Sequence, residues 1–143
     1  MNDPVIAEDP MLATGLAYLE ALSTHDGAAA APLFTADGVI DDGGGGHRSG
    51  REEIDRFIRT APVGLAVDAP KLAIAQPGRL TVYGFITYPA GYAGWGYEPS
   101  DSEQQHRIRW VFHFSGNLIA HLSNSYVRYF PDNPSPLETP ASA

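Results

Sequence analysis

Two adjacent carboxylates, Asp41 and Asp42, follow the short apolar run Val39-Ile40 and stand directly before four glycines at 43–46. Neighbours in a strand point to opposite faces, so only one of the two can face a given cavity. A carboxylate at the mouth of an apolar cavity is a candidate general base, for taking a proton α to a carbonyl or for activating a water. Tyr18 is a second polar candidate. It lies on an apolar helical stripe that turns its hydroxyl inward, where the group needs a hydrogen-bond partner. The five histidines, His25, His47, His106, His113 and His121, raise the question of a metal. None has a helical His-x-x-x-His spacing, and a chain without cysteine offers no thiolate zinc site. No metal and no organic cofactor is expected. Arg48, Arg51, Arg56 and Arg59 alternate with Glu52, Glu53 and Asp55, which reads as a solvated, salt-bridged helix face rather than an anion site.

These groups need elements to hold them. Asp9-Pro10 is a helix start, with Asp as N-cap and Pro in the first turn. The helix extends to about Ser23, with Met11, Gly15, Tyr18 and Leu22 on one stripe and Leu12, Leu16 and Leu19 beside it. Thr24-His25-Asp26-Gly27 breaks it, and Asp26 caps a short alanine-rich helix from Gly27 to Phe34. A turn at Ala36-Asp37-Gly38 leads into a strand at 39–42. Ser49 and Glu52 have capping-box spacing before a third helix whose Ile54, Phe57, Ile58 and Ala61 recur with helical period. After Pro62 and Gly64 the period becomes two. Strands are predicted at 66–75 (weakened by Pro70), 80–88, 105–114 and 118–130. Residues 89–103 form a long loop whose Tyr92, Trp95 and Tyr97 suit a lid or a subunit contact. Helices first and antiparallel strands after give an α+β class, with helices on one face of a curved sheet and an apolar pocket between.

The composition narrows the setting. The chain has 143 residues, no cysteine and a formal net charge of −8. Its size suits a single domain with a real core, expected at 9–130 between a flexible arm at 1–8 and a disordered, proline-rich tail at 131–143. The acidic balance argues against nucleic acid or an anionic membrane as partner. No apolar run is long enough to span a bilayer and no signal peptide is visible, so a cytoplasmic location is expected.

Four stretches carry a resemblance: Tyr-Leu-Glu-Ala-Leu-Ser-Thr-His-Asp-Gly (18–27), Leu-Phe-Thr-Ala-Asp-Gly-Val-Ile-Asp-Asp (33–42), Ser-Gly-Arg-Glu-Glu-Ile (49–54) and Trp-Val-Phe-His-Phe-Ser-Gly-Asn-Leu-Ile (110–119). Over about 9–130 the chain resembles the NTF2-like superfamily, in particular its SnoaL-like polyketide cyclase and ketosteroid isomerase group. The resemblance implies a half-cone of curved sheet closed by three N-terminal helices. Ketosteroid isomerases use a general-base Asp with an oxyanion hole of Tyr and protonated Asp. By position, the resemblance puts the base on Asp42 and the oxyanion donor on Tyr18, 24 residues apart. Asp41 is the fallback if the strand register slips by one. The second acid falls near Trp110, and the tyrosines that support the oxyanion donor in some members fall on Phe34 and Ile58. The four glycines stand where members often carry proline, which implies a looser entrance. The same comparison turns His106, Ile108, Trp110, Phe112 and Phe114 inward, with Leu122, Asn124 and Tyr126 on the last strand. Trp110, Phe112, Leu122, Asn124, Tyr126 and His106 are therefore the expected substrate contacts, His106 being also a candidate second acid or base. The outer sheet face, with Arg107, Arg109, Val111, His113 and His121, is implied as a homodimer contact.

The leading reading is proton transfer α to a carbonyl on a hydrophobic polyketide- or terpenoid-like molecule, as in an isomerase or cyclase. Water or hydroxyl activation by Asp42, as in epoxide hydrolases of this fold, is an alternative, although the Asp-Arg-Asp set of the limonene-type members is missing. A non-catalytic ligand-binding or dimerisation module is the third.

Overall fold

The computed structural model describes residues 10–42, 46–91 and 101–131. The arm at 1–8, the proposed cap Asp9, the glycines at 43–45, the loop aromatics Tyr92, Trp95 and Tyr97, and the tail beyond Pro131 lie outside the described residues.

Helix α1 spans Pro10–Thr24 and buries Leu12, Gly15, Tyr18, Leu19, Ala21 and Leu22. Gly15 sets its approach to the sheet, because a Cβ there would lie 2.5 Å from Leu80 Cδ2. His25 takes a left-handed conformation and ends the helix. The Asp26 carboxylate then accepts from Ala29 N at 3.1 Å and starts α2, Gly27–Ala30. The predicted continuation to Phe34 is a 3₁₀ turn, Ala31–Leu33, since Pro32 lacks the N–H that another α-turn would need.

Strand β1 covers Phe34–Asp41. The predicted turn at 36–38 lies inside it, as an irregularity where its pairing with a later strand slips between Phe34 and Val39. A short strand β2, His47–Ser49, pairs back on Val39, Ile40 and Asp41. That pairing changes the start of α3, Arg51–Arg59. Ser49 is held in the ladder, so the cap falls on Gly50 with φ 90°, a conformation that glycine adopts without strain. Glu53, not Glu52, reaches back to accept from Ser49 N at 2.7 Å.

The remaining strands are β3 (Ala66–Gln76), β4 (Arg79–Tyr88), β5 (Gln104–Ser115) and β6 (Leu118–Tyr126). Pro70 sits where the β3–β4 register slips, on an edge strand that tolerates a missing donor. The last strand stops at Tyr126 rather than Phe130. The chain turns away there, and the Phe130 ring meets Tyr83 at 5.9 Å and Phe85 at 5.1 Å.

The six strands form one curved, open sheet in the order β2-β1-β6-β5-β4-β3. All neighbours are antiparallel except β1 and β6, which run parallel. The fold is the expected α+β half-cone, with a mixed rather than purely antiparallel sheet. Its core joins the helices to one sheet face through Tyr18, Leu19, Leu22, Ile54 and Ile58 on one side and Leu80, Val82, Ile108, Trp110, Phe112 and Leu122 on the other.

Candidate functional site

The two carboxylates go separate ways, as strand alternation requires. Asp41 points to the outer face, where Oδ1 lies 2.6 Å from His47 Nδ1 and Oδ2 lies 2.7 Å from His121 Nε2. The hydrogen bond from His121, then that from His47, holds the Asp41 carboxyl below the usual range. Asp42 lies just past the strand and is buried. Its backbone N–H donates to Gly46 O at 3.0 Å, and its Oδ1 accepts from Gly46 N at 2.9 Å. Gly46 touches the carboxylate so closely that a Cβ there would collide with Asp42 Oδ2.

Tyr18 is wholly buried. Its ring meets the rings of Phe34 and Phe112 edge-on, each at 5.8 Å. Its hydroxyl is buried and has no hydrogen-bond partner among the described residues. Burial, reinforced by the negative charge of Asp42, raises its pKa far above that of an ordinary phenol. Tyr18 therefore stays protonated and can act only as a donor or neutral acceptor.

Trp110 is also fully buried, with its indole N–H unpartnered among the described residues. It stands between Val82 on β4 and Asn124 on β6. Phe112 and Leu122, which face each other across the same ladder, are fully buried, and Asn124 is a buried polar residue of this wall. Further along, the Tyr126 hydroxyl lies 3.2 Å from that of Tyr88. The His106 ring sits between these two tyrosines, 5.6 Å from Tyr88 and 5.3 Å from Tyr126. Burial lowers its pKa, which favours the neutral imidazole.

The inward set expected from the sequence thus lies along one sheet face, with the Tyr18 ring against Phe112. One contributor escaped sequence reasoning: Tyr88 is recognisable only once β4, β5 and β6 are set side by side. The arginine-rich stretch is less of a salt-bridge face than expected. Arg59 pairs with Asp55 at 3.5 Å, but Arg51 donates to Phe34 O at 2.7 and 3.0 Å. Arg48 stacks on Phe57, 4.9 Å from the ring centre. Among the described residues no group of three or more His, Asp or Glu side chains is arranged to hold a metal.

A family model described as "SnoaL-like domain" matches residues 16–122. Among curated proteins none matches the chain. Solved structures share the fold. A Catenulispora acidiphila protein with a ketosteroid isomerase-like fold, in complex with trimethylamine, is 18% identical, with 80% of this chain and 85% of that one aligned and a TM-score of 0.67. A putative polyketide cyclase from Xanthomonas campestris is 16% identical over 82% of this chain and 90% of the other, at a TM-score of 0.67. An LEH-like epoxide hydrolase from M. tuberculosis is 13% identical over 82% and 83%, at 0.65.

Proposed function

We propose that this chain, which belongs to the SnoaL-like domain family, is an acid/base catalyst that transfers a proton α to a carbonyl of a hydrophobic, polyketide- or terpenoid-like molecule. The observation that carries this reading is the Tyr18 hydroxyl. It is a fully buried donor with no partner among the described residues, held protonated by burial and by the charge of the buried Asp42. A buried donor left unsatisfied costs free energy, and a substrate oxygen would remove that cost.

In this reading Asp42 takes the proton from the α-carbon. The C–H electron pair forms a C=C bond and the carbonyl π electrons move to oxygen. The resulting enolate oxygen accepts a hydrogen bond from Tyr18, with the Trp110 N–H as a further buried donor on that wall. Return of the proton from Asp42 to a different carbon completes an isomerisation, while attack of the enolate carbon on a second carbonyl closes a ring, and the alkoxide so formed takes the proton from Asp42. Phe112 and Leu122 supply apolar walls, Asn124 a polar contact, and His106, between Tyr88 and Tyr126, a neutral imidazole at the far end. Gly46 N–H fixes the orientation of Asp42.

The likeness to an epoxide hydrolase keeps water activation by Asp42 as the second reading. It has less support, because β5 and β6 contain no Asp to complete an Asp-Arg-Asp set. Exchange of the α-hydrogens of 2-tetralone in D2O, followed by proton NMR, tests the leading reading. Asp42→Asn is expected to slow exchange by about 10²–10⁴ and Tyr18→Phe by about 10²–10³. Exchange at the same rate in wild type and Asp42→Asn would rule out Asp42 as the base.

A further inference from the structure

The opposite face of the sheet holds a second polar arrangement. Strand alternation puts Tyr83 of β4 and Arg109 of β5 on that face, directly across from each other in the ladder. Side chains so paired are close neighbours. The chain after β6 crosses this face, pinned by Phe130 against Tyr83 and Phe85, with the Arg107 guanidinium 5.9 Å and 6.0 Å from the Phe85 and Phe130 ring centres. Between this segment and the sheet lies a cleft of about 490 Å³ lined by Tyr83, Arg109, Val127, Arg128, Tyr129 and Pro131, together with Tyr126.

Two polar atoms in this cleft are buried and have no partner among the described residues: the Tyr83 hydroxyl and Arg109 Nε. Tyr83 is 1% exposed. Arg109 Nη2 donates to Ser125 Oγ at 3.3 Å, a neutral acceptor that does not balance the positive charge. Among the described residues the lining contains two arginines and no carboxylate, in a chain whose net charge is −8. A partly buried guanidinium without a counter-ion is costly, and its planar fork matches a carboxylate in shape and charge. Tyrosine, valine and proline walls suit an apolar body, and the volume is that of a small-molecule site.

We propose that this outer cleft is a second binding site, separate from the Asp42 site, for a small organic acid with an aromatic or compact apolar body. Its carboxylate accepts hydrogen bonds from Arg109 and from the Tyr83 hydroxyl, and its body rests against Val127, Tyr129 and Pro131. The rival occupant is a second copy of the chain, because family resemblance puts a subunit contact on this sheet face. The cation pair and the two unpartnered donors favour the acid.

Backbone-amide NMR titration of the full chain with benzoate, and with benzamide as its neutral counterpart, tests this. Benzoate is expected to give saturable shifts at residues 83, 109 and 125–130, with benzamide at least tenfold weaker. Arg109→Gln should weaken benzoate about tenfold or more and Tyr83→Phe several-fold, while Asp42→Asn leaves its affinity unchanged. Arg109→Lys, which keeps the charge but loses the fork, serves if the Gln variant does not fold and should also weaken binding. The proposal fails if benzoate gives no saturable shift, if benzamide binds equally, or if the Arg109 variants bind like wild type. It fails too if these amides respond to protein concentration and not to benzoate, which would make the cleft a contact between copies.

Discussion

Replacing Tyr18 by Phe should make this protein more stable. The side chain is fully buried and its hydroxyl has no partner among the described residues. Leaving such a group unsatisfied costs about 1–3 kcal/mol, whereas an apolar group of the same shape has no such penalty. Phe keeps the ring and both edge-on contacts, to Phe34 and Phe112, so no cavity opens. The expected gain is about 1–2 kcal/mol, seen in urea denaturation as a higher midpoint at unchanged slope. For a domain of this size it corresponds to a rise in Tm of roughly 4–8 °C. Tyr18→Ala is the packing control: it removes the ring as well and should cost about 3–5 kcal/mol. A gain in stability combined with loss of ketone exchange is the signature of a group kept for its ligand. If Tyr18→Phe instead lowers stability by about 1 kcal/mol or more, the hydroxyl is satisfied within the fold and the oxyanion role loses its support.

The raised pKa of Tyr18 has a consequence in alkali. A group whose folded pKa lies above its unfolded value contributes stability that is complete below the unfolded pKa, about 10 for tyrosine, and that declines as pH rises beyond it. Absorbance at 295 nm should show a tyrosine component that ionises only as circular dichroism reports unfolding, and Tyr18→Phe should reduce that delayed component by about one tyrosine. Gly46→Ala should separate catalysis from stability. The new methyl displaces the Asp42 carboxylate, a side-chain end that can rotate away, so unfolding should shift by under about 1 kcal/mol while ketone exchange falls by about 10². An unchanged exchange rate would show that the cradle does not position the base.

The sequence was most legible where one local period decides the answer. The apolar stripe of α1 announced both the helix and the inward turn of Tyr18. On β5 and β6 the period supplied the alternation and the resemblance supplied its parity, and Ile108, Trp110, Phe112, Leu122 and Asn124 are indeed buried while Arg109, His113 and His121 are only partly so. The departures lie where a distant partner overrides a local signal. Ser49 has the right spacing for a cap, yet β2 pairing with β1 draws it into the ladder and passes the cap to Gly50. The residues 36–38 look like a turn, yet they lie within β1, at the irregularity where its pairing with β6 slips.

What the sequence determined by itself was the α+β class, the split between helical and strand halves, and the inward stripe that carries Tyr18, because burial faces follow from residue type and period, whereas the choice of Asp42 over Asp41 came from the family resemblance. Only the tertiary structure decided what surrounds them. It set β1 parallel to β6, bringing His121 to Asp41 across 80 residues and so tying the outward carboxylate to the outer face. It closed Gly46 onto Asp42, left the hydroxyl of Tyr18 and the indole of Trp110 buried without partners among the described residues, and folded residues 127–131 over Tyr83 and Arg109. Each depends on which segments meet after the chain has collapsed, and no local pattern encodes that.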